Sequence, residues 1–499
     1  MTTPQEVPST SSEASTGSPP RADQIPAVPR AVRWTPAHVA ATVIVIASVA
    51  TMTGPLRDID TYWHLLIGRE ILDNGRIGGL GTSWSAYAPG ADWLTSQWLS
   101  EVVMTWIHDL FGWRGLIAAR MALGLVVMVG LARLLFRYAR PWPAVAVLGG
   151  LTITIVPAIQ ERPSLATLAL AIWLSGASAG LLLRDERSRW WLVLGITAVW
   201  ANLHGGWVLV PLAFAAVAAA SSLDATTRNR IKPALGLAAV ALVGACLTPV
   251  GVRTLVMPLS FVGRTEHIVE WQRTSLLSPW SLGLTLGIGL LAVAWARRSR
   301  PTAWPEIALC IAWAGFGLLA FRNVAPAALM LAPYLAVAAD GLAPHRTPRR
   351  LIEASLILVA TIAAVVSGVM LTVLQISQTQ PLSETEPRLI AERLNAQADP
   401  NQPVTVLNDY NSSGVLAYFG GPGVRLVVDG RADRFPADWV KRIGNLQDGV
   451  GIDEGLKEIA PQAVVTEKNS VLSQTLVQDK QWVIELEDGR YVLLLPPPV

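Results

Sequence analysis

The stretch GPLRDIDTYWHLLIGREILDNG, residues 54–75, sets two carboxylates, Asp58 and Asp60, directly after a long apolar run, and His64 follows four residues behind the second. Paired acids at this spacing suit general-base work on an acceptor hydroxyl, one taking the proton while the other orients it or holds a divalent cation. The same acids also suit a plainer role, capping a helix that starts near Thr61, where negative charge at the N-terminus is favourable. More ionisable and amide side chains gather at the ends of apolar segments: Gln160, Glu161 and Arg162; Asn202 and His204 in WANLHGGW; Glu266, His267 and Glu270 in GRTEHIVEWQR; Arg322 and Asn323 in AFRNVAP. Charge at membrane depth is costly and is usually kept because it acts. One polar cavity at membrane level is the economical account of the grouping.

The elements that must position these residues follow from composition. A chain of 499 residues that is 52% hydrophobic, only 15% charged and carries 20 Trp is too apolar for a soluble protein, and reads as an α-helical polytopic membrane protein. A bilayer core of about 30 Å takes about 20 apolar residues in a helix. Such runs occur near 38–56, 115–138, 142–159, 164–183, 190–206, 207–223, 233–253, 277–296, 303–321, 323–341 and 351–375, about eleven spans. Residues 1–36, rich in Pro, Ser and Thr, read as a disordered tail. With no signal peptide before it, the run at 38–56 is expected to stay as a signal anchor.

The Arg clusters at 133–140, 184–189, 228–232, 297–300 and 346–350 all fall on one side of this scheme, together with Arg30 and Arg33. The positive-inside rule makes that side the cytoplasm. The N-terminus is then cytoplasmic, and an odd number of crossings puts the C-terminus and the loop 57–113 outside a plasma membrane. That loop holds two helix-like pieces, DTYWHLLIGREILDNG and LTSQWLSEVVMTWIHDLFG, which suit helices lying in the interface; Asp73-Asn74-Gly75 ends the first. Cys246 and Cys310 lie in apolar runs and imply packing, not a disulfide framework.

From about residue 377 the composition turns soluble. Residues 377–499 carry about six excess negative charges and the membrane portion, 37–376, about nine positive ones, so the net charge of +3 reports topology and not nucleic-acid binding. Short β runs alternating with helical stretches near 385–396, 411–419, 436–446 and 452–459 indicate a small external α/β domain. VVDGRADRF places Asp429, Arg431 and Asp433 just past a strand end, where α/β domains put binding groups, or in a turn whose Asp side chains cap backbone amides. No Gly-rich phosphate fingerprint is present.

An Asp-x-Asp directly after the first helix, two interfacial helices, a many-helix bundle and a soluble external domain resemble the GT-C-fold membrane glycosyltransferases. DIDTYWHLLIGREIL, SQWLSEVV, QERP, NLHGGW and VVDGRADRF are also similar to a group of bacterial membrane proteins. The resemblance implies transfer of a sugar from a polyprenyl-phosphate donor to an envelope glycan, lipid or protein acceptor at the external leaflet, with inversion. It makes Asp58 or Asp60 the base and lets the other, Asp60 for preference, help hold a divalent cation. By location Arg162, His204 and Arg322 are candidates to neutralise the departing phosphate, and Glu101 and Glu270 to orient the acceptor. His64 and Asn202 complete the candidate substrate contacts.

Each residue also has a plainer reading. His204 suits the carbonyls of a helix end, Arg162 a segment boundary, Arg322 the headgroups and Glu270 a solvated loop. Trp63, Trp93 and Trp98 suit membrane anchors as well as sugar platforms. Two other functions compete: a transporter or flippase of lipid-linked glycans, which calls for mid-bilayer charge and an internal repeat, and a non-catalytic membrane protein whose external domain binds envelope glycan.

Overall fold

The computed structural model describes residues 35–56, 58–87, 93–261, 268–297, 302–343, 365–366, 368–370, 382 and 387–497. The helical part comprises α1 (Pro36–Ala50), α2 (Asp60–Asn74), α3 (Trp98–Tyr138), α4 (Pro141–Ile155), α5 (Ser164–Arg184), α6 (Trp190–Leu203), α7 (Leu209–Ser221), α8 (Ile231–Ala245), α9 (Leu282–Ala296), α10 (Trp304–Leu319) and α11 (Val324–Leu342). Six segments among the described residues are helical, long and apolar enough to cross a membrane, and three shorter apolar helices accompany them. The expected spans fall on α1, the second half of α3, and α4 to α11. The span expected at 351–375 lies almost wholly outside the described residues, as do Glu266 and His267.

Helix α11 is apolar on every face because it is surrounded, packing against α3, α4, α5, α9 and α10. At one end of the bundle, Arg137 pairs with Glu186, and Arg140 Nε reaches Asp340 Oδ1 at 2.8 Å. The chain beyond α3, α5 and α11 therefore meets at the end where the Arg clusters were grouped. At the other end lie α2 and the α/β domain.

Helix α2 starts with the second aspartate and stops where Asp-Asn-Gly predicts, with Gly75 in the left-handed region at φ 64° and its N–H on Ile71 O. The second interfacial helix differs from expectation: it runs on into the following span as α3, broken only at Gly112, whose φ of 63° and ψ of −162° suit a residue without Cβ. Helix α2 lies close against α3. A Cβ on Gly68 would stand 2.3 Å from Glu101 O.

The α/β domain contains α12 (Arg388–Gln397), β1 (Val404–Asn408), α13 (Ser413–Phe419), β2 (Val424–Leu426), α14 (Ala437–Gln447), α15 (Ile452–Ile459), β3 (Ala463–Glu467), α16 (Val471–Gln478), β4 (Val483–Asp488) and β5 (Tyr491–Leu495). The sheet order is β2-β1-β3-β5-β4; β1 is parallel to β2 and β3, while β5 is antiparallel to β3 and β4. Helix α16 and strand β4 were not expected. β4 is a largely exposed edge strand, so VIELED lacks the apolar run that marks the buried strands.

This domain is not tethered loosely to the bundle. Trp63 and Ile67 of α2 and Leu80 and Trp84 of the next loop share one core with Val406, Leu416 and Leu493 of the sheet and α13. The same loop extends the sheet beyond β2: Leu426 N donates to Trp84 O and Ala86 N to Leu426 O, each at 2.8 Å.

Candidate active site

Arg120 of α3 fixes the approach to the paired aspartates. Its guanidinium binds the carbonyls of Met52 and Gly54 and pairs with Glu161, so the end of α1 and the segment before α5 are pinned to one buried cation. The only mark of Arg120 in the sequence is that of a lone Arg within the apolar run GLIAARMALGL. Thr61 Oγ1 adds a 2.9 Å bond to Glu161 O, which sets the first turn of α2 against residue 162.

Arg162 then stands among three carboxylates. Its Nη2 donates to Asp58 Oδ1 at 2.9 Å and to Asp60 Oδ2 at 2.5 Å, its Nη1 to Glu270 Oε2 at 3.0 Å, and its Nε pairs with Asp58 Oδ2. Its charge is shared among three carboxylates. Asp58 is buried and also caps α2, accepting from Asp60 N at 2.9 Å. The capping role that the sequence offered is present at Asp58, and a pairing with Arg162 that the sequence did not indicate accompanies it. Asp60 is more open, its side chain 22% exposed, and Oδ1 accepts from Trp63 Nε1 at 3.0 Å. Its carboxyl is raised to about 6: burial is the largest cause, Arg162 opposes it, and Asp58 and Glu270 add to the rise. Glu270 goes the other way: burial raises it, but Arg162 and Arg322 outweigh burial and hold it below the usual range.

Burial pushes both histidines below their ordinary range. Burial, with Arg322 and Arg162 nearby, drives His204 down to about 3. Its Nδ1 accepts from Gly206 N at 3.0 Å and lies 2.8 Å from Thr167 Oγ1, which accepts from Trp200 Nε1. That arrangement places the ring proton on Nε2. His204 therefore offers a neutral N–H, not the positive charge the sequence reading gave it. His64, lowered by burial and then by Arg162 and His204, contacts Glu101 at 3.1 Å. Glu101 also accepts from Thr95 Oγ1 at 2.8 Å and is fully buried.

A cavity of about 660 Å³ opens beside this cluster. Of the candidates, Asp60, His64, Arg162, His204, Glu270, Arg322, Arg431 and Asp433 line it. Asp58 and Glu101 lie behind its wall. Asn202 is spent on the bundle, accepting from Trp98 Nε1 at 2.8 Å and donating to Leu247 O at 3.0 Å. Arg322 lies over the Trp271 ring at 4.4 Å. Leu168, Leu209, Leu212, Phe316 and Val324 supply an apolar wall.

The α/β domain closes the cavity. Tyr410, which sequence reasoning missed, donates from its hydroxyl to Gly430 O at 2.7 Å, and both line the space. Asp429 and Arg431 form a buried ion pair that clamps the loop after α2: Arg431 donates to Leu80 O and Gly81 O at 2.9 Å, and Trp84 Nε1 donates to Asp429 Oδ2 at 3.2 Å. A Cβ on Gly430 would lie 2.4 Å from Trp63 Nε1 and 2.8 Å from Asp60 Oδ1. Gly430→Ala is therefore expected to displace Asp60 and lower turnover by about tenfold to a hundredfold, since ångström-scale misplacement costs that much. Turnover and melting temperature of the purified variant check it, the latter expected to change little.

Among the described residues no group of three His, Cys, Asp or Glu side chains has the arrangement of a metal site. The oxygens of Asp58 and Asp60 that would hold a divalent cation point at Arg162. These residues do not fit a metal with that side chain in place.

No family model matches the chain, and no curated protein matches it. The solved structures it is similar to include ArnT from Cupriavidus metallidurans bound to undecaprenyl phosphate, at 16% identity and a TM-score of 0.48, covering 93% of this chain and 98% of that one. They also include the Archaeoglobus fulgidus oligosaccharyltransferase tethered with an acceptor peptide, at 12% identity and a TM-score of 0.48, covering 86% of this chain and 69% of that one. A second structure of that oligosaccharyltransferase is a complex with Zn and sulfate. Likeness at this level assigns no activity, which has to rest on the site.

Proposed function

We propose that the chain is a membrane glycosyltransferase that moves a sugar from a polyprenyl-phosphate donor to an envelope acceptor. The observation that carries this reading is a carboxylate, Asp60, raised to about 6 and facing a cavity that joins a cationic end to an apolar wall. An apolar wall suits an isoprenoid tail, and a phosphate requires positive charge at its head. A base titrating near neutrality suits a hydroxyl nucleophile.

In this reading Asp60 takes the proton from the acceptor hydroxyl as its oxygen attacks the anomeric carbon. The bond from that carbon to the phosphate oxygen breaks, and the electron pair leaves with the polyprenyl phosphate. Arg322 meets the growing charge, because Arg162 is committed to its carboxylates, and His204 Nε2–H is a neutral donor at the same wall. Arg162 holds Asp60 in place and Asp58 holds Arg162. No step is assigned to a metal ion.

The test is a strain lacking the protein. It is expected to accumulate a lipid-linked sugar and to lose one surface glycan, with both restored by the parent gene. A deletion strain whose lipid-linked sugars and surface glycans match the parent would contradict the proposal.

A further inference from the structure

We propose that His64 and Glu101 form a proton-sharing pair that recognises the donor phosphate, with His64 Nε2–H as the contact and Glu101 as the source of the proton that charges the ring. The inference rests on the glycosyl-transfer reading and adds to it a phosphate ligand that stays uncharged until the substrate arrives. The transfer step as written uses neither residue. His64 Nδ1 lies 3.1 Å from Glu101 Oε1, and their side chains are 4% and 0% exposed. Glu101 Oε2 accepts from Thr95 Oγ1 at 2.8 Å, and the Trp63 ring, itself held by Asp60 Oδ1, lies 3.6 Å from the imidazole. Gly68, one turn further along α2, lets that helix approach α3 closely enough for the contact.

The geometry fixes which nitrogen meets a ligand. Nδ1 and Nε2 point to different sides of the ring. Nδ1 is spent on Glu101, which lies behind the cavity wall, while His64 lines the cavity and no group among the described residues bonds its Nε2. Nε2 is therefore an unpartnered polar atom on a side chain more than nine-tenths buried, turned to the cavity.

Burial decides the state of that nitrogen. A net charge at this depth is costly. Arg431 and Asp433 act on Glu101 with opposite sign, and Arg431 is already paired with Asp429. The pair avoids net charge in two ways, as a carboxylic acid donating to Nδ1 or as a carboxylate facing an imidazolium, and in both Nε2 carries a hydrogen. Burial, Arg162 and His204 all oppose charge on the ring, so the empty site keeps the proton on Glu101. An anionic oxygen arriving at Nε2 reverses the balance: the Oε1–H bond breaks, the proton passes to Nδ1, and the imidazolium stands between two anions. Of the groups that the transfer reading brings into the cavity, the phosphate is the one with negative charge. Arg322 shares its recognition, because Arg322 and His64 both lie within electrostatic reach of His204 and Arg162.

The full chain in lipid nanodiscs, isotope-labelled on the histidine ring nitrogens, is examined by solid-state NMR with farnesyl phosphate, inorganic phosphate and farnesol. His64→Gln identifies the His64 signals. Without ligand, and with farnesol, Nε2 alone is expected to be protonated; with farnesyl phosphate, both nitrogens. Inorganic phosphate is expected to act only at concentrations about tenfold higher or more. Glu101→Gln, whose amide still bonds Nδ1, is expected to keep one protonated ring nitrogen with farnesyl phosphate bound and to bind it about tenfold more weakly, since a charge-assisted bond is lost. A purely structural pair would leave the wild-type ring unchanged by farnesyl phosphate, or Glu101→Gln binding it as tightly as wild type, and either result would overturn the proposal. The wild-type spectra decide even where Glu101→Gln does not fold. Inorganic phosphate acting at the same concentration as farnesyl phosphate would overturn the assignment to a lipid-linked donor. Bound farnesyl phosphate beside an unshifted ring would sink the pair alone, and a shifted ring beside full sugar transfer by Asp60→Asn would sink the transfer mechanism alone.

Discussion

Asp60→Asn is expected to lower sugar transfer by about 10² to 10⁴-fold, the usual contribution of a positioned general base, while the protein folds and binds lipid phosphate as before. The substitution is nearly isosteric. The amide oxygen still accepts from Trp63 Nε1, as Asp60 Oδ1 does at 3.0 Å, so α2 keeps its first turn against the α/β domain. What disappears is the group that can take a proton, together with one of the three carboxylates that pair with Arg162, so a modest fall in melting temperature accompanies the loss of rate. Asp58→Asn is the contrast, because Asp58 lies behind the cavity wall and works by capping α2 and pairing with Arg162. Its effect should fall mainly on melting temperature, with a smaller loss of rate. Radiolabelled donor turnover and thermal unfolding of both purified variants check this. Asp60→Asn transferring within tenfold of wild type would remove Asp60 from the chemistry.

Arg162→Met is expected to be the most damaging change to the fold of the site. Removing one partner of a buried ion pair typically costs about 3–5 kcal/mol, because the other charge stays buried without compensation. Here three carboxylates converge on one guanidinium: the Asp58 side chain is 1% exposed and that of Asp60 22%, while Glu270, at 33%, can turn toward water. Loss should therefore fall on the two aspartates. Arg162→Lys separates charge from geometry, since an ammonium keeps the charge but cannot donate in a fork to Asp58 and Asp60 together. It should fold, with a smaller drop in melting temperature and a rate lowered by about tenfold or more. Thermal unfolding of both variants in one lipid preparation measures the difference. An Arg162→Met protein as stable as wild type would show that the cluster does not hold this corner together.

Much of this was legible in the chain because membrane proteins write their architecture in long runs and loop charges. The apolar segments found the helices, and Asp73-Asn74-Gly75 found the end of α2. The polar groups at the segment ends also converge, six of them on one cavity with Arg431 and Asp433 of the α/β domain. Roles were less legible, since they depend on partners distant in sequence. Arg162 reads as a free cation until three carboxylates surround it, and His204 reads as a phosphate ligand with charge until burial and Thr167 settle its tautomer. Tyr410 carried no sequence signal, because only the docking of the α/β domain on α2 turns it into the cavity. Glycine gave the last clue: Gly430 sits where any side chain would strike Asp60.

The dependence of transfer on pH tests the central claim most directly. With Asp60 titrating at about 6, kcat/KM should rise tenfold per pH unit below that value and level off above it, because the base acts only when ionised. His204, at about 3, is neutral across this window and adds no limb, and burial holds His64 well below its ordinary range. The residual activity of Asp60→Asn should lack the acidic limb. A wild-type profile flat from pH 4.5 to 8, or a limb that persists in Asp60→Asn, would contradict the account.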